Sequence, residues 1–412
     1  MERLINKQTL KGCNGVFYRD KQVVIKNEER VIEHNIENFG YPDREIILPY
    51  EINEFNITFP VLTTRGCKGK CTFSVADNKG EVRVRSLNNV FDEIDELIKK
   101  YNASFINFID SSFEDGGSTP IDRFNELLLT LKERRTNIRF SLNCRAESIN
   151  TETIEILQEL VDYGLNLLMI GIEAGNEADL KIYAKKASLN DNIYALKLLS
   201  GTRIPFRPEF IMFNPYSTFS GLREKATLLN RFDLMDNFDI IDVRFQVFSG
   251  APLTKKLFSD GLVLDNVIYP ITNGMCYCFM DSRIKHVCNV VQVIKLRAPI
   301  LDKLNRQELI NIFSIAGRIN NYRSPFKKDE RVIEFIEILN NYKKDINLSY
   351  FSLFNKILDL AERKEDDIIK VLDKDISDLN EILEMYWKLI NKSKLIILKI
   401  LFKAHVLPLR NN

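Results

Sequence analysis

Between residues 61 and 250, short apolar runs alternate with longer segments whose apolar positions recur every three to four residues. That is the pattern of strands followed by amphipathic helices. Six strands are predicted, at Val61–Thr64, Phe105–Ile109, Arg139–Leu142, Leu167–Ile172, Pro208–Phe213 and Ile241–Phe248. Helices are predicted between them at Asn89–Tyr101, Ile121–Arg134, Thr151–Asp162, Asp191–Leu199 and Leu222–Arg231. Strands and helices in this alternation build a parallel sheet from βαβ units, so the fold class is α/β. Upstream, residues 1–60 are too short and polar to form a domain alone, although Gly15–Ile25 reads as strand, turn at Asp20-Lys21-Gln22, and strand. Downstream, Gly becomes scarce and Arg306–Leu401 reads as about four helices, in which the charge run Arg363–Asp367 is taken as a solvated helix face. The chain thus divides into an N-terminal extension (1–60), an α/β segment (61–265) and a mainly helical C-terminal region (266–412).

Length and charge narrow the class. The 412 residues suffice for one large domain and a smaller one. With 58 Lys and Arg against 57 Asp and Glu, there is no electrostatic reason to expect nucleic acid or an anionic membrane as partner. No run approaches the length of a membrane span, and the first residues lack the apolar stretch of a signal peptide, so the expectation is a cytoplasmic protein. Seven cysteines, an odd number without regular spacing, argue against a secreted disulfide framework. Cys13 and Cys144 read as small buried apolar residues. Cys276, Cys278, His286 and Cys288 lie close enough in sequence for a metal site, but their spacing matches no standard finger, and a half-buried group of small residues is the other reading.

The chemistry concentrates in Val61-Leu-Thr-Thr-Arg-Gly-Cys67-Lys-Gly-Lys-Cys71-Thr-Phe-Ser74, an apolar strand ending in a loop that presents two thiols. This segment resembles the cluster loop of the radical S-adenosylmethionine (radical SAM) superfamily, Cys-x3-Cys-x-aromatic-Cys, with Cys67, Cys71 and Phe73 at matching positions. The third cysteine position holds Ser74. A hydroxyl has a far higher pKa than a thiol and is a harder ligand. A cluster here needs Ser74 as an alkoxide, another cysteine, or an exogenous thiol. Asp110-Ser-Ser-Phe113 after the second strand and Gly171-Ile-Glu173-Ala-Gly175 on the fourth are similar to signposts of the cobalamin-type branch. Phe248-Ser-Gly-Ala-Pro-Leu253 is similar to its barrel-closing turn, and Gly40–Ile47 to the linker after its cobalamin-binding domain. No Asp-x-His-x-x-Gly cobalamin loop is present, so no cobalamin domain is expected in this chain.

The resemblance covers roughly residues 15–265 and implies a partial (β/α)6 TIM-like barrel with its chemistry at the strand carboxyl ends. It implies a 4Fe-4S cluster on Cys67, Cys71 and Ser74. For S-adenosylmethionine it implies Phe73 against the adenine, Asp110, Ser111 and Ser112 near the methionyl amino group, and Arg145 near the carboxylate. The resemblance likewise implies Glu173 near the ribose or amino end, with Gln246 and Val247 lining the adenine pocket. An internal Glu173–Arg145 ion pair is the alternative for those two residues. Two functions follow: radical modification of a peptide or secondary metabolite, or a catalytically degenerate paralogue that binds a protein partner through the C-terminal helices.

Overall fold

Parallel pairing of the apolar runs is the main feature of the computed structural model, which describes residues 2–6, 8–45, 58–75, 81–268, 274–305, 308–309, 312–313, 315–316, 326 and 328–403. An antiparallel hairpin, β1 (Phe17–Asp20) and β2 (Val23–Lys26), comes first and turns at Lys21, which has φ +52°. The main sheet follows with β3 (Thr58–Val61). A small antiparallel ribbon, β4 (Thr64–Gly66) with β5 (Val82–Val84), stands apart from it. Then come β6 (Phe105–Phe108), β7 (Arg139–Arg145), β8 (Leu165–Glu173) and β9 (Phe206–Phe210), hydrogen-bonded in parallel in the order β3-β6-β7-β8-β9. The longer helices between them are α1 (Leu87–Tyr101), α2 (Pro120–Arg134), α3 (Thr151–Asp162), α4 (Glu177–Ile182), α5 (Leu189–Ser200) and α6 (Phe219–Arg231). Their starts are written in the sequence: Thr119, Asn150 and Ser188 each close a capping box.

Two strand expectations need correction. Val61 ends the first strand rather than beginning it, because Thr63 and Thr64 leave the sheet to hydrogen-bond the Asp110 carboxylate. The sixth strand is reduced to one parallel bridge, Phe213 with Arg244. Asn237 caps a 3-10 turn over Phe238–Ile241, accepting from Asp239 N at 2.8 Å, and that turn takes the first residue of the expected strand. The result is a partial TIM-like barrel whose last repeat is vestigial.

The C-terminal region closes that side. After α7 (Pro252–Ser259), the antiparallel pair β10 (Val263–Ile268) and β11 (Met275–Tyr277) leads into α8 (Ser282–Arg297). Two long helices follow, α9 (Glu330–Glu362) and α10 (Asp373–Lys403), with a four-residue helix at Ile368–Val371 between them. The charge run Arg363–Asp367 is the turn after α9, with Lys364 at φ +60°, and not a helix face. Part of the expected helix span from Arg306, and Ile46–Ile47 of the expected linker, lie outside the described residues. One apolar core runs from Phe59 in β3 to Ile397 in α10. Phe354 of α9 packs edge-on against Phe213 at 6.1 Å, Tyr350 against Phe238 at 5.5 Å, and Asn347 Oδ1 accepts from Met235 N at 2.8 Å.

Gly164, between α3 and β8, has φ +108°, and a Cβ there would lie 2.0 Å from the Ile138 carbonyl oxygen. Gly164→Ala is therefore expected to destabilise the protein by at least ~2 kcal/mol, read as a lower urea midpoint.

Candidate active site at the carboxyl ends of the strands

The loop after β3 is fastened from both sides. Asp110, fully buried just past β6, accepts from Thr63 N at 2.8 Å, Thr63 Oγ1 at 3.1 Å and Thr64 Oγ1 at 2.9 Å. Asn143 Nδ2 donates to the Asp110 carbonyl at 2.9 Å. Further along, Lys68 N donates to Asp115 Oδ2 at 2.8 Å. From the opposite side, Tyr183 O accepts from Thr72 N at 2.9 Å, Ile182 O accepts from Thr72 Oγ1 at 2.7 Å, and Leu253 N at the start of α7 donates to Thr72 O at 2.8 Å. Phe73 meets Tyr183 edge-on at 5.4 Å, and both belong to an apolar cluster containing Val247.

Within this loop the two thiols border one space. Gly69 N donates to Cys67 Sγ at 3.2 Å, and a Cβ on Gly69 would stand 3.2 Å from Cys67 Sγ and 3.8 Å from Cys71 Sγ. Glycine at 69 keeps that space open. Burial raises the Cys71 pKa; Lys185 acts against this, whereas Glu173, Cys67 and Glu147 reinforce it. Each of these groups thus acts electrostatically on the Cys71 thiol. Ser74 is half-buried on the same loop.

Glu173 ends β8 in an unusual conformation. Ala174 N donates to Ile172 O at 2.8 Å, closing a three-residue turn with Glu173 at its centre and at φ +63°. This is the rare, strained hand of that turn, which costs on the order of 1 kcal/mol. Its partner is Lys185, with Nζ 3.6 Å from Glu173 Oε1, and not Arg145. Burial pushes the Glu173 carboxyl up to about 7, with Lys185 pulling it down and Glu209 adding to the rise. Arg145 instead donates through NH1 to Asp115 Oδ2 at 2.7 Å and through Nε to Glu147 Oε1 at 3.0 Å, while NH2 stands 3.6 Å from Glu114 Oε1. Burial works against the Arg145 charge, but the Asp115 hydrogen bond and the flanking carboxylates raise its pKa on balance. Burial likewise takes Glu114 up to about 7.

The remaining expected residues divide by exposure. Ser111 and Gln246 are exposed, whereas Ser112 and Val247 are buried. The Asp110 carboxylate is committed to the two threonines. The internal Glu173–Arg145 pair is corrected, since each residue has its own partners. The second cysteine group does not converge: Cys288 is buried on one face of α8, and His286, two residues earlier, is exposed on another. Among the described residues no cluster of three His, Cys, Asp or Glu side chains is placed to hold a metal. Cys144 is buried as expected, whereas Cys13 is only half-buried. Sequence reasoning missed Tyr183 and Lys185, which lie beyond a six-residue helix too short to leave a periodic signal. Glu114 and Asp115 directly follow the Asp110–Phe113 signpost and were within its reach.

Three variants check this geometry. Asp110→Asn places an amide donor against the threonine donors and is expected to cost ~1–3 kcal/mol in urea unfolding, whereas Ser111→Ala should stay within about 0.5 kcal/mol of the parent. Ala184, at φ +48°, occupies the position after α4 where glycine is usual. Ala184→Gly is therefore expected to stabilise the protein by about 0.5–1 kcal/mol in the same assay, the left-handed strain outweighing the entropy of glycine.

Comparison with known proteins follows the same lines. Residues 61–218 match the Radical SAM superfamily. The chain is 27% identical over 285 residues to 4'-phospho-dehydrooxetanocin synthase of Priestia megaterium, an alignment covering 65% of this chain and 38% of that protein. It is 25% identical over 276 residues to a putative methylthiotransferase of Methanocaldococcus jannaschii, covering 60% and 59% respectively. The chain therefore spans less than two thirds of either relative. The structure of the cobalamin-dependent radical SAM enzyme OxsB with aqua-cobalamin and S-adenosylmethionine bound shares the fold, with a TM-score of 0.63 and 18% identity, over 98% of this chain and 63% of that one. The radical SAM methyltransferase TsrM of Kitasatospora setae, with cobalamin and a [4Fe-4S] cluster bound, aligns at a TM-score of 0.50 and 14% identity over 63% of this chain and 51% of that one. The segment that matches the Radical SAM superfamily, residues 61–218, contains both the Cys67–Cys71 loop and the strand-end Glu173.

Proposed function

We propose that this chain is a radical SAM enzyme acting on a small molecule of the secondary-metabolite class. The observation that carries the reading is the convergence of the Cys67 and Cys71 thiols on one space beside Gly69. Cys67 and Cys71 fit a 4Fe-4S cluster as thiolate ligands, and Ser74 supplies an oxygen at the third position. A cluster held there would supply the electron for reductive cleavage of S-adenosylmethionine, the source of radical chemistry on the substrate.

The chain's own residues place the cofactor. Phe73 and Val247 form an apolar wall for the adenine, with Gln246 at its exposed rim. The Glu173 carboxylate accepts from the ribose, and Arg145 NH2, beyond hydrogen-bond range of Glu114, is the edge left for the methionyl carboxylate. Ser111 lies exposed in the turn after β6 for the ammonium, and Asp110 contributes by holding the loop. The division at residues 60 and 265 and a cytoplasmic location belong to the same proposal; among the described residues no helix is long and apolar enough to cross a membrane. The degenerate-partner reading has Ser74 in its favour, but the paired thiols and the strained Glu173 give it no support.

Anaerobic reconstitution with iron and sulfide tests the proposal. The parent chain is expected to take up iron and to bind S-adenosylmethionine in calorimetry. Ser74→Cys should raise the iron content toward about four per chain, since three loop thiolates are the stronger donor set. Absence of iron from both proteins, and from a variant with a cysteine inserted after Phe73, would overturn it.

A further inference from the structure

The last helix of the C-terminal pair is apolar on two opposite sides. The inner side of α10, carrying Leu379, Leu383, Tyr386 and Ile390, is buried, and Tyr386 meets Tyr342 of α9 edge-on at 5.5 Å. On the outer side Met385, Leu389, Leu395 and Ile396 are between 37% and 61% exposed. With ~3.6 residues per turn, these four and the charged residues beside them fall within about 120° of arc, opposite the buried set. On α9 the exposed Ile333 and Leu348 stand far apart in the helix. A single exposed leucine needs no explanation, but four apolar residues along about three turns of one face form a seam.

Charge decides what covers it. On this face Asp378 and Glu381 precede the apolar residues, whereas Lys388, Lys392 and Lys399 accompany and follow them. Among the described residues Asp378, Glu381, Lys392 and Lys399 have no ion-pair partner, and Lys388 has only Glu384, one turn earlier, at 3.9 Å. Two copies of α10 side by side in parallel would set lysine against lysine. Turned antiparallel about a twofold axis between Lys388 and Leu389, they set Asp378 of each copy against Lys399 of the other, with Glu381 between Lys392 and Lys399. The pairing spans about 32 Å of helix and leaves Lys374, in the first turn, outside it.

We propose that the outer face of α10 is a self-association surface on which a second copy of this chain docks, the two helices antiparallel and their Met385, Leu389 and Ile396 seams facing each other. A twofold interface needs one patch that complements itself, and an acidic start with a basic end on one helix face provides it. Nothing in this pairing depends on the cofactor.

Sedimentation equilibrium of the full chain tests it. The parent is expected to dimerise at micromolar concentration, and the dimer to weaken several-fold as salt rises from ~50 mM to ~500 mM. Asp378→Lys and Lys399→Asp each bring like charges together at both ends of the interface and should weaken the dimer about tenfold, whereas the double variant, with the charges exchanged, should return to within about twofold of the parent. Leu389→Asp should abolish the dimer and, because the residue is exposed, leave the urea midpoint of the chain unchanged. A parent that stays monomeric up to ~100 µM overturns the proposal, whether the seam then takes up phosphatidylglycerol vesicles, another protein or neither. So does a dimer that the single reversals leave unchanged, or one that the double reversal fails to restore.

Discussion

A buried carboxylate at the end of β6 decides where the chemistry of this protein sits. Asp110 is withdrawn from solvent, which raises its pKa, and the Thr63 and Thr64 donors act in the opposite direction. An unpaired charge in that position would be costly, but one held by several donors is tolerated because each replaces a hydrogen bond to water. The structural result is directional. Thr63 and Thr64 are drawn off the sheet toward β6, so the chain leaving β3 crosses the strand ends and does not continue the strand. The loop carrying Cys67 and Cys71 starts from that crossing, and Asp115, five residues after Asp110, holds its next turn.

The far end of the loop depends on a second buried network. Asn214 Nδ2 donates to Tyr183 Oη at 2.9 Å and to Asp179 Oδ1 at 3.0 Å, and Asp179 also pairs with the buried Lys225 of α6. Lys225 Nζ in turn donates to Met212 O at 2.8 Å. Polar groups this deep are stable only when satisfied together, and here they fix the short helix α4 against the strand ends. Tyr183 transmits the placement outward, through its carbonyl to Thr72 and through its ring to Phe73. The strained backbone at Glu173 and Ala184 persists because this packing leaves the chain no cheaper path.

Local order was legible in the sequence and long-range partnership was not. The α3 boundaries, Thr151 and Asp162, follow from the apolar period that begins at Thr151 and from Gly164, all within one stretch of chain, and the structure adds the Asn150 cap. Asp110 was equally visible at a strand end, but the threonines that consume its carboxylate lie more than forty residues earlier, and a single sequence carries no sign of that pairing. Ile241–Phe248 has the composition of a strand, but the 3-10 turn capped by Asn237 takes its first residue and only the Phe213–Arg244 bridge joins it to the sheet. Arg363–Asp367 was read as a helix face because its charges match one, whereas Lys364 with positive φ marks it as a turn.

The vestigial sixth strand changes what the C-terminal helices are for. A parallel barrel that stops at five strands and one bridge leaves the apolar face of Phe213 and Phe238 without the next repeat to cover it. The cover comes from α9, through Phe354 and Tyr350, and Asn347 satisfies the Met235 N–H and contacts the Asn230 side chain through its amide at 2.7 Å. Tyr342 adds a hydrogen bond to the Asp236 carbonyl at 2.9 Å. A surface kept for a separate partner would not be spent on buried contacts with the barrel. One side of α9 is therefore committed to completing the scaffold that aims the strand ends, and only its outer side, where Ile333 and Leu348 are exposed, remains for anything else.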